Sequence, residues 1–429
     1  MKTTFLIEGG NRLNGTLRID SAKNAILPIL AATVLVNGQT VLRNIPKISD
    51  IDNMLHILSS LGAKIEWKDN DLYIDTTQLC RNEIPPDTAA RIRGSIFILG
   101  SILGRFKTAR VPYPGGCAIG SRPIDLHIQG FRDLGIRVFE NDGYITCTAP
   151  RKNTDRSVYL DFPSVGATEN LILASVLGSG KTKIINPARE PEVIDLVDFL
   201  NACGARICGA GTDTISVHGV KTLSGTVYTP IPDRIITGSY LIAAATVGGE
   251  ITLTNVRPEH NENLISKLRR CGCEINSRGN TITLKSPKQR PAALGSVQTS
   301  PYPGFPTDLQ SQLAVLQSIS KGSCVITENL FESRFKYVPE LCKMGAKVCI
   351  KDRNANITGV QKIRAGTEIS PLNVTATDLR GGVALVIAAL CAHGKTVVHN
   401  AEYIMRGHQS IESDLLSLGA NIIRIDERR

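Results

Sequence analysis

The sequence predicts an α/β protein of two lobes, each built from three copies of a unit of about seventy residues, with helices inside and sheets outside. Three observations carry this reading. A glycine corner between a helix and a strand recurs six times, a second turn keeps the same period, and half of the helices are apolar on every side. The corners are LSSLGAKIEW, FRDLGIRVFE, LNACGARICG, LRRCGCEINS, LCKMGAKVCI and LLSLGANIIR. Their glycines, Gly62, Gly135, Gly204, Gly272, Gly345 and Gly419, stand 73, 69, 68, 73 and 74 residues apart. A glycine just past a helix takes the left-handed angles that turn the chain into a strand.

The front half of each unit is an apolar helix, a turn and a β-branched strand, as in ILPILAATVLVNGQTVLRNI and LVIAALCAHGKTVVHNA. Its turn glycines are Gly38, Gly180, Gly249, Gly322 and Gly394, with Phe106 in that place in the second unit. The back half is an amphipathic helix, the glycine corner and a hairpin with a polar turn such as Asn141-Asp142-Gly143. Each unit is therefore helix, strand, helix and hairpin. The sixth runs out of chain after one strand, and the N-terminal stretch MKTTFLIEGGNRLNGTLRID, which reads as paired strands, is placed to supply its partner. All-apolar helices have to be covered, which puts the sheets outside them. The lobes are 23–231 and 1–22 plus 232–429, and the cleft between them is the expected ligand site.

Composition narrows the class. With 42% hydrophobic and 21% charged residues the chain is a soluble globular protein, and no apolar run is long enough to span a membrane. A cytoplasmic location follows, with no membrane partner. Eleven scattered cysteines without a C-x-x-C pair read as reduced thiols, mostly in cores, and neither they nor the seven histidines suggest a metal. The net charge of +10 suits an anionic partner. The basic residues form no run and aromatics are only 5%, so nucleic acid is not the partner and a small anion is. Gly178-Ser179-Gly180-Lys181-Thr182 imitates the end of a phosphate-binding loop, but position 175 is serine and the segment follows a helix instead of opening one.

Three segments look unnecessary for folding. Lys23 opens the first apolar helix, where its ammonium and the free N–H groups form an anion site, or where it is simply a solvated lysine. Cys117 sits in PYPGGCAIGSRP, among prolines and glycines that no core would enclose, and is either an inert thiol on a surface loop or a reactive one whose thiolate Arg122 favours. Asp308 follows PYPGFPT at the mouth of another apolar helix and is either its N-cap or a general base.

The strings SAKNAILPILAA, PGGCAIGSRPIDLH, PSVGAT, PAREPEVIDL, PYPGFPTDLQSQ, TENLFESRF and RGHQSIE together resemble the enolpyruvyl transferase family, in its branch that acts on UDP-N-acetylglucosamine, over essentially the whole chain. The resemblance implies a two-lobed inside-out α/β barrel. It implies transfer of the enolpyruvyl group of phosphoenolpyruvate to the sugar 3-hydroxyl with release of phosphate, the first committed step of peptidoglycan synthesis, without a cofactor. By resemblance Lys23, Arg122 and Arg406 clamp phosphoenolpyruvate, while Asn24, Arg93, Arg122, Pro123, Ile124, Asp125, Leu126, Asp308 and Leu330 hold the sugar nucleotide. Cys117 protonates the methylene carbon or forms an adduct, is the residue fosfomycin alkylates, and Asp308 takes the hydroxyl proton. The shikimate-pathway transferase is the nearest alternative and lacks the PGGC loop. A silent relative that only binds the sugar nucleotide is the alternative from another class.

Overall fold

The computed structural model describes residues 2–85, 95–113, 124–150 and 154–427. The chain divides into two compact units: Met1–Asp20 with Pro232–Arg429, and the described residues from Ser21 to Ile231. Among the described residues there are twelve α-helices: α1 (Lys23–Thr33), α2 (Ser49–Leu61), α3 (Ser95–Phe106), α4 (Asp125–Asp133), α5 (Val165–Ser175), α6 (Pro191–Ala202), α7 (Arg234–Val247), α8 (Glu262–Arg270), α9 (Gln310–Ile319), α10 (Val338–Lys343), α11 (Leu379–Cys391) and α12 (Ile411–Ser417). Odd-numbered helices open the six repeats and even-numbered ones close them.

The two kinds of helix differ in burial as their sequences require. All ten residues of α9 are buried, and so is α11 from Leu379 to Leu390. Helix α8 buries only Leu264, Ile265 and Leu268 and turns its charged residues outward. Within one unit α7, α9 and α11 all touch one another; in the other, α3 packs on both α1 and α5. No described helix is long and apolar enough to cross a membrane.

All six corner glycines have positive φ, between 78° and 108°. Of the second set of turns, the five glycines do too, but in the second repeat the left-handed residue is Lys107, not Phe106. Its ammonium donates to the Gly104 and Leu177 carbonyls, which offsets the strain of a side chain in that conformation.

Each repeat carries one sheet of three or four strands, with a separate two-stranded pairing of Val36–Asn37 and Leu223–Ser224, and the larger sheets reveal a strand that the sequence pattern does not. In five of the six, a short edge strand lies parallel to the strand after the front helix, and the hairpin completes a four-stranded sheet. Arg156–Tyr159 pairs with Lys181–Ile185, Gly295–Gln298 with Ser323–Thr327, and Leu372–Thr375 with Gly394–His399. The unit is therefore strand, helix, strand, helix and hairpin. In the second repeat a single parallel bridge, Glu83 to Arg110, stands where the edge strand belongs.

The N-terminal strands do not pair with each other. Lys2–Gly9 lies antiparallel between Gly394–His399 and Asn421–Glu427, where it completes the sixth repeat, and Leu13–Arg18 is the edge strand of the fourth. One glycine-broken segment thus serves two sheets of the same unit.

Candidate active site

Helix α1 begins at Lys23, and its cap residue, Ala22, offers no side-chain cap. A lysine there opposes the helix dipole, so its position is not one that folding selects. It is not a solvated lysine either: its side chain is only 11% exposed and its ammonium lies 3.1 Å from the buried Asp50 carboxylate. Asn24 follows in the first turn. Pro28, four residues on, has no N–H to return to the Asn24 carbonyl, which leaves that acceptor outside the helix ladder.

Ile124, Asp125 and Leu126 start α4 in the same unit, with Ile124 buried and Asp125 exposed. Their helix is pinned from behind by Asn170 of α5, a residue the sequence gives no reason to notice. Its carbonyl oxygen accepts from Gly100 N at 2.8 Å, and its amide donates to the Ile96 carbonyl and to His127 Nδ1 at 2.8 and 2.9 Å. With Nδ1 accepting, the neutral His127 ring carries its proton on Nε2. Cys117, Arg93, Arg122 and Pro123 lie outside the described residues.

In the other unit Asp308 lies in a 3-10 turn, Thr307–Leu309, that leads into α9. The cap positions belong to Pro306, before the 3-10 turn, and to Leu309, before α9, and not to Asp308. Instead it meets two guanidiniums: Arg334 Nη2 donates to Oδ1 at 2.6 Å and Arg380 Nη2 to Oδ2 at 2.8 Å. Both arginine side chains are nearly fully buried while the carboxylate is 24% exposed. The pair fixes the plane of the carboxylate and leaves it reachable from solvent, which is the arrangement a positioned base needs. The N-cap reading of Asp308 is therefore wrong for this structure. The loop before it is closed by Gly304 N to the Pro301 carbonyl and Ser300 N to the Phe305 carbonyl.

Leu330 is half-buried, and its N–H donates to the carboxylate of Glu328 at 2.9 Å. Arg406 is exposed at the end of the 3-10 helix Ala401–Arg406. Arg334, Arg380 and Glu328 belong to this cluster and were not singled out by sequence, although two of them stand in TENLFESRF. Fully buried charge looks like ordinary surface polarity in a sequence, and only the fold separates them.

Cys147, Cys203, Cys271, Cys273 and Cys324 are buried, and burial pushes the Cys147, Cys203 and Cys273 thiols up to about 12. Cys80, Cys208 and Cys349 are exposed, so core packing does not account for them, and Cys342, expected in a core, is half-buried. Among the described residues no group of three or more His, Cys, Asp or Glu side chains is placed to hold a metal.

The family model described as EPSP synthase (3-phosphoshikimate 1-carboxyvinyltransferase) matches residues 7–415. A protein of Caldanaerobacter subterraneus named UDP-N-acetylglucosamine 1-carboxyvinyltransferase 2 is 48% identical, covering 98% of this chain and 99% of the relative. One of Actinobacillus succinogenes, UDP-N-acetylglucosamine 1-carboxyvinyltransferase, is 44% identical over 99% of both. Among solved structures, the enolpyruvyl transferase NikO from Streptomyces tendae aligns at a TM-score of 0.87 with 24% identity over 99% of both chains. EPSP synthase from Acinetobacter baumannii aligns at 0.74 with 16% identity, covering 99% of this chain and all of the other.

Proposed function

This chain belongs to the enolpyruvyl transferase family, and we propose that it moves the enolpyruvyl group of phosphoenolpyruvate to the 3-hydroxyl of UDP-N-acetylglucosamine, releasing phosphate and opening peptidoglycan synthesis. The observation that carries the chemistry is the Asp308 carboxylate, oriented by two buried guanidiniums and open to solvent. It takes the proton of the sugar hydroxyl as the hydroxyl oxygen bonds to C2 of phosphoenolpyruvate. The C3 methylene gains a proton, the role this reading gives to Cys117. Loss of phosphate then breaks the bond from C2 to the ester oxygen, and loss of a proton from C3 restores the vinyl group. Lys23, Arg122 and Arg406 hold the phosphate and carboxylate, where charge develops. Asn24, Arg93, Pro123, Ile124, Asp125, Leu126 and Leu330 hold the sugar nucleotide.

The reading takes residues 23–231 as one lobe and 1–22 plus 232–429 as the other. It requires Lys23 and Asp308 to face one substrate pair in the cleft between them, within an inside-out α/β barrel of threefold repetition in each lobe. The buried front helices and the recurring one-sheet repeat support that architecture.

The test is phosphate release from phosphoenolpyruvate, offered with UDP-N-acetylglucosamine, with shikimate 3-phosphate, or alone. The expected result is release only with the sugar nucleotide. Release with shikimate 3-phosphate instead would move the chain to the other branch of its family, and no release with any acceptor would remove the enzymatic reading.

A further inference from the structure

The repeats provide an internal standard for residues that serve folding alone. Six residues after the turn glycine, four repeats place an asparagine: Asn44, Asn186, Asn255 and Asn400, all with φ between 54° and 56°. In three of them the side-chain amide ties the end of the edge strand. Asn186 donates to the Leu160 carbonyl, Asn255 to that of Ile19 and Asn400 to that of Ala376. Each acceptor is the residue just past its edge strand. The position is structural: it closes the sheet against the parallel strand.

The fifth repeat breaks the pattern. Six residues after Gly322 stands Glu328, 1% exposed and absent from the left-handed residues. The structural bond has moved one place along, to Asn329, whose amide donates to the Thr299 carbonyl, again the residue just past the edge strand. Asn329 thus does what position six does in the other repeats, and the Glu328 carboxylate takes further partners. Its Oε1 accepts from the Thr299 hydroxyl at 2.8 Å, Leu330 N at 2.9 Å and Phe331 N at 3.2 Å, and its Oε2 accepts from the Thr307 hydroxyl at 2.8 Å. One carboxylate joins the residue next to Asp308 to the turn that carries Leu330.

We propose that Glu328 is a positioning residue, which sets the Asp308 carboxylate through the Thr307 hydroxyl and the Leu330 turn through its backbone N–H groups. The inference rests on Asp308 acting on the sugar hydroxyl. Its physical basis is that a carboxylate accepting four hydrogen bonds from three segments fixes their spacing, and a reacting group displaced by an ångström loses much of its rate.

The experiment is a double-mutant cycle of Thr307→Val and Asp308→Asn, with Thr307→Ser as the conservative control and binding of UDP-N-acetylglucosamine measured by calorimetry without phosphoenolpyruvate. Thr307→Val keeps the shape and removes the hydroxyl. The expected result is a kcat lower by roughly 10-fold or more, sugar-nucleotide affinity within about 3-fold of the parent, and recovery in Thr307→Ser. In the Asp308→Asn background the same change costs little further, because a residue acting through Asp308 has nothing left to position. Glu328→Ala, which also frees the Leu330 turn, lowers kcat and raises KM for the sugar nucleotide. Parental kcat in Thr307→Val, or losses that multiply independently in the double variant, would overturn the proposal. Should Thr307→Val fail to fold, Glu328→Gln with and without Asp308→Asn gives the same comparison, and a parent without turnover marks failure of the functional reading instead.

Discussion

Repeats four and six flank repeat five in one unit and share its topology, yet their polar residues do different work. In the flanking repeats the front helix is closed by an aspartate. Asp233 accepts from Ile235 N and Ile236 N at the head of α7, and Asp378 from Arg380 N and Gly381 N at the head of α11. Repeat five also has an aspartate at the head of its helix, but that carboxylate turns away to Arg334 and Arg380. The other unit shows the same contrast, with Ser164 capping α5 and no side chain capping α1, the helix that carries Lys23 and Asn24. Among the front helices whose N-termini are described, α5, α7 and α11 are capped by a side chain of their own, and the two that are not, α1 and α9, begin at Lys23 and directly after the Asp308 turn.

The largest expected effect breaks the contrast at Asp308. Asp308→Asn keeps the shape but cannot accept the proton, and kcat falls by roughly 10²–10⁴. Two buried guanidiniums lose their counter-charge, and urea unfolding should show a loss of about 1–3 kcal/mol, below the range of fully buried pairs because the carboxylate is partly solvated. Asp233→Ala gives the opposite profile, a cost of about 1–2 kcal/mol from a lost cap in a buried setting. A variant of Asp308 with near-parental kcat would return that residue to a structural role.

A smaller effect sharpens the comparison between the two units. Glu169, inside the front helix α5, is 1% exposed, and neither carboxyl oxygen has a hydrogen-bond partner. Burial first, then the neighbouring Glu192 and Glu190, push its pKa well above the ordinary 4.5. The folded protein therefore holds a proton that the unfolded chain releases. Stability from this group is fully present below its unfolded pKa and is lost as pH rises toward the raised one. Glu169→Gln removes the dependence, so its melting temperature should match the parent below the ordinary carboxyl pKa of 4.5 and exceed it increasingly as the pH rises above that value. A constant difference across that range would show that Glu169 is not the titrating group.

What could be read from the sequence follows from how local each cause is. The corner glycines were legible because every helix that turns into a strand needs left-handed angles at that point, whatever surrounds it. The edge strands were not, since a segment such as Val227–Tyr228 is too short to show a period and pairs with Val41–Leu42, far away in the chain. Lys23 and Asp308 stood out as polar residues opening apolar helices. Their partners Asp50, Arg334 and Arg380 did not, nor did Glu328 beside them, because they are polar residues in polar stretches whose burial comes only from packing. Glu328 did leave a trace: four repeats have asparagine where the fifth has glutamate, and only the structure shows what the asparagine does.

The central claim is group transfer, and phosphate release alone does not separate transfer from hydrolysis. The direct measurement is the mass of the sugar nucleotide after incubation with phosphoenolpyruvate in heavy water. The account predicts that UDP-N-acetylglucosamine gains one enolpyruvyl group for each phosphate released, with deuterium in its methylene, because C3 is protonated and then deprotonated on the way. An unchanged sugar nucleotide alongside free phosphate and pyruvate would contradict it.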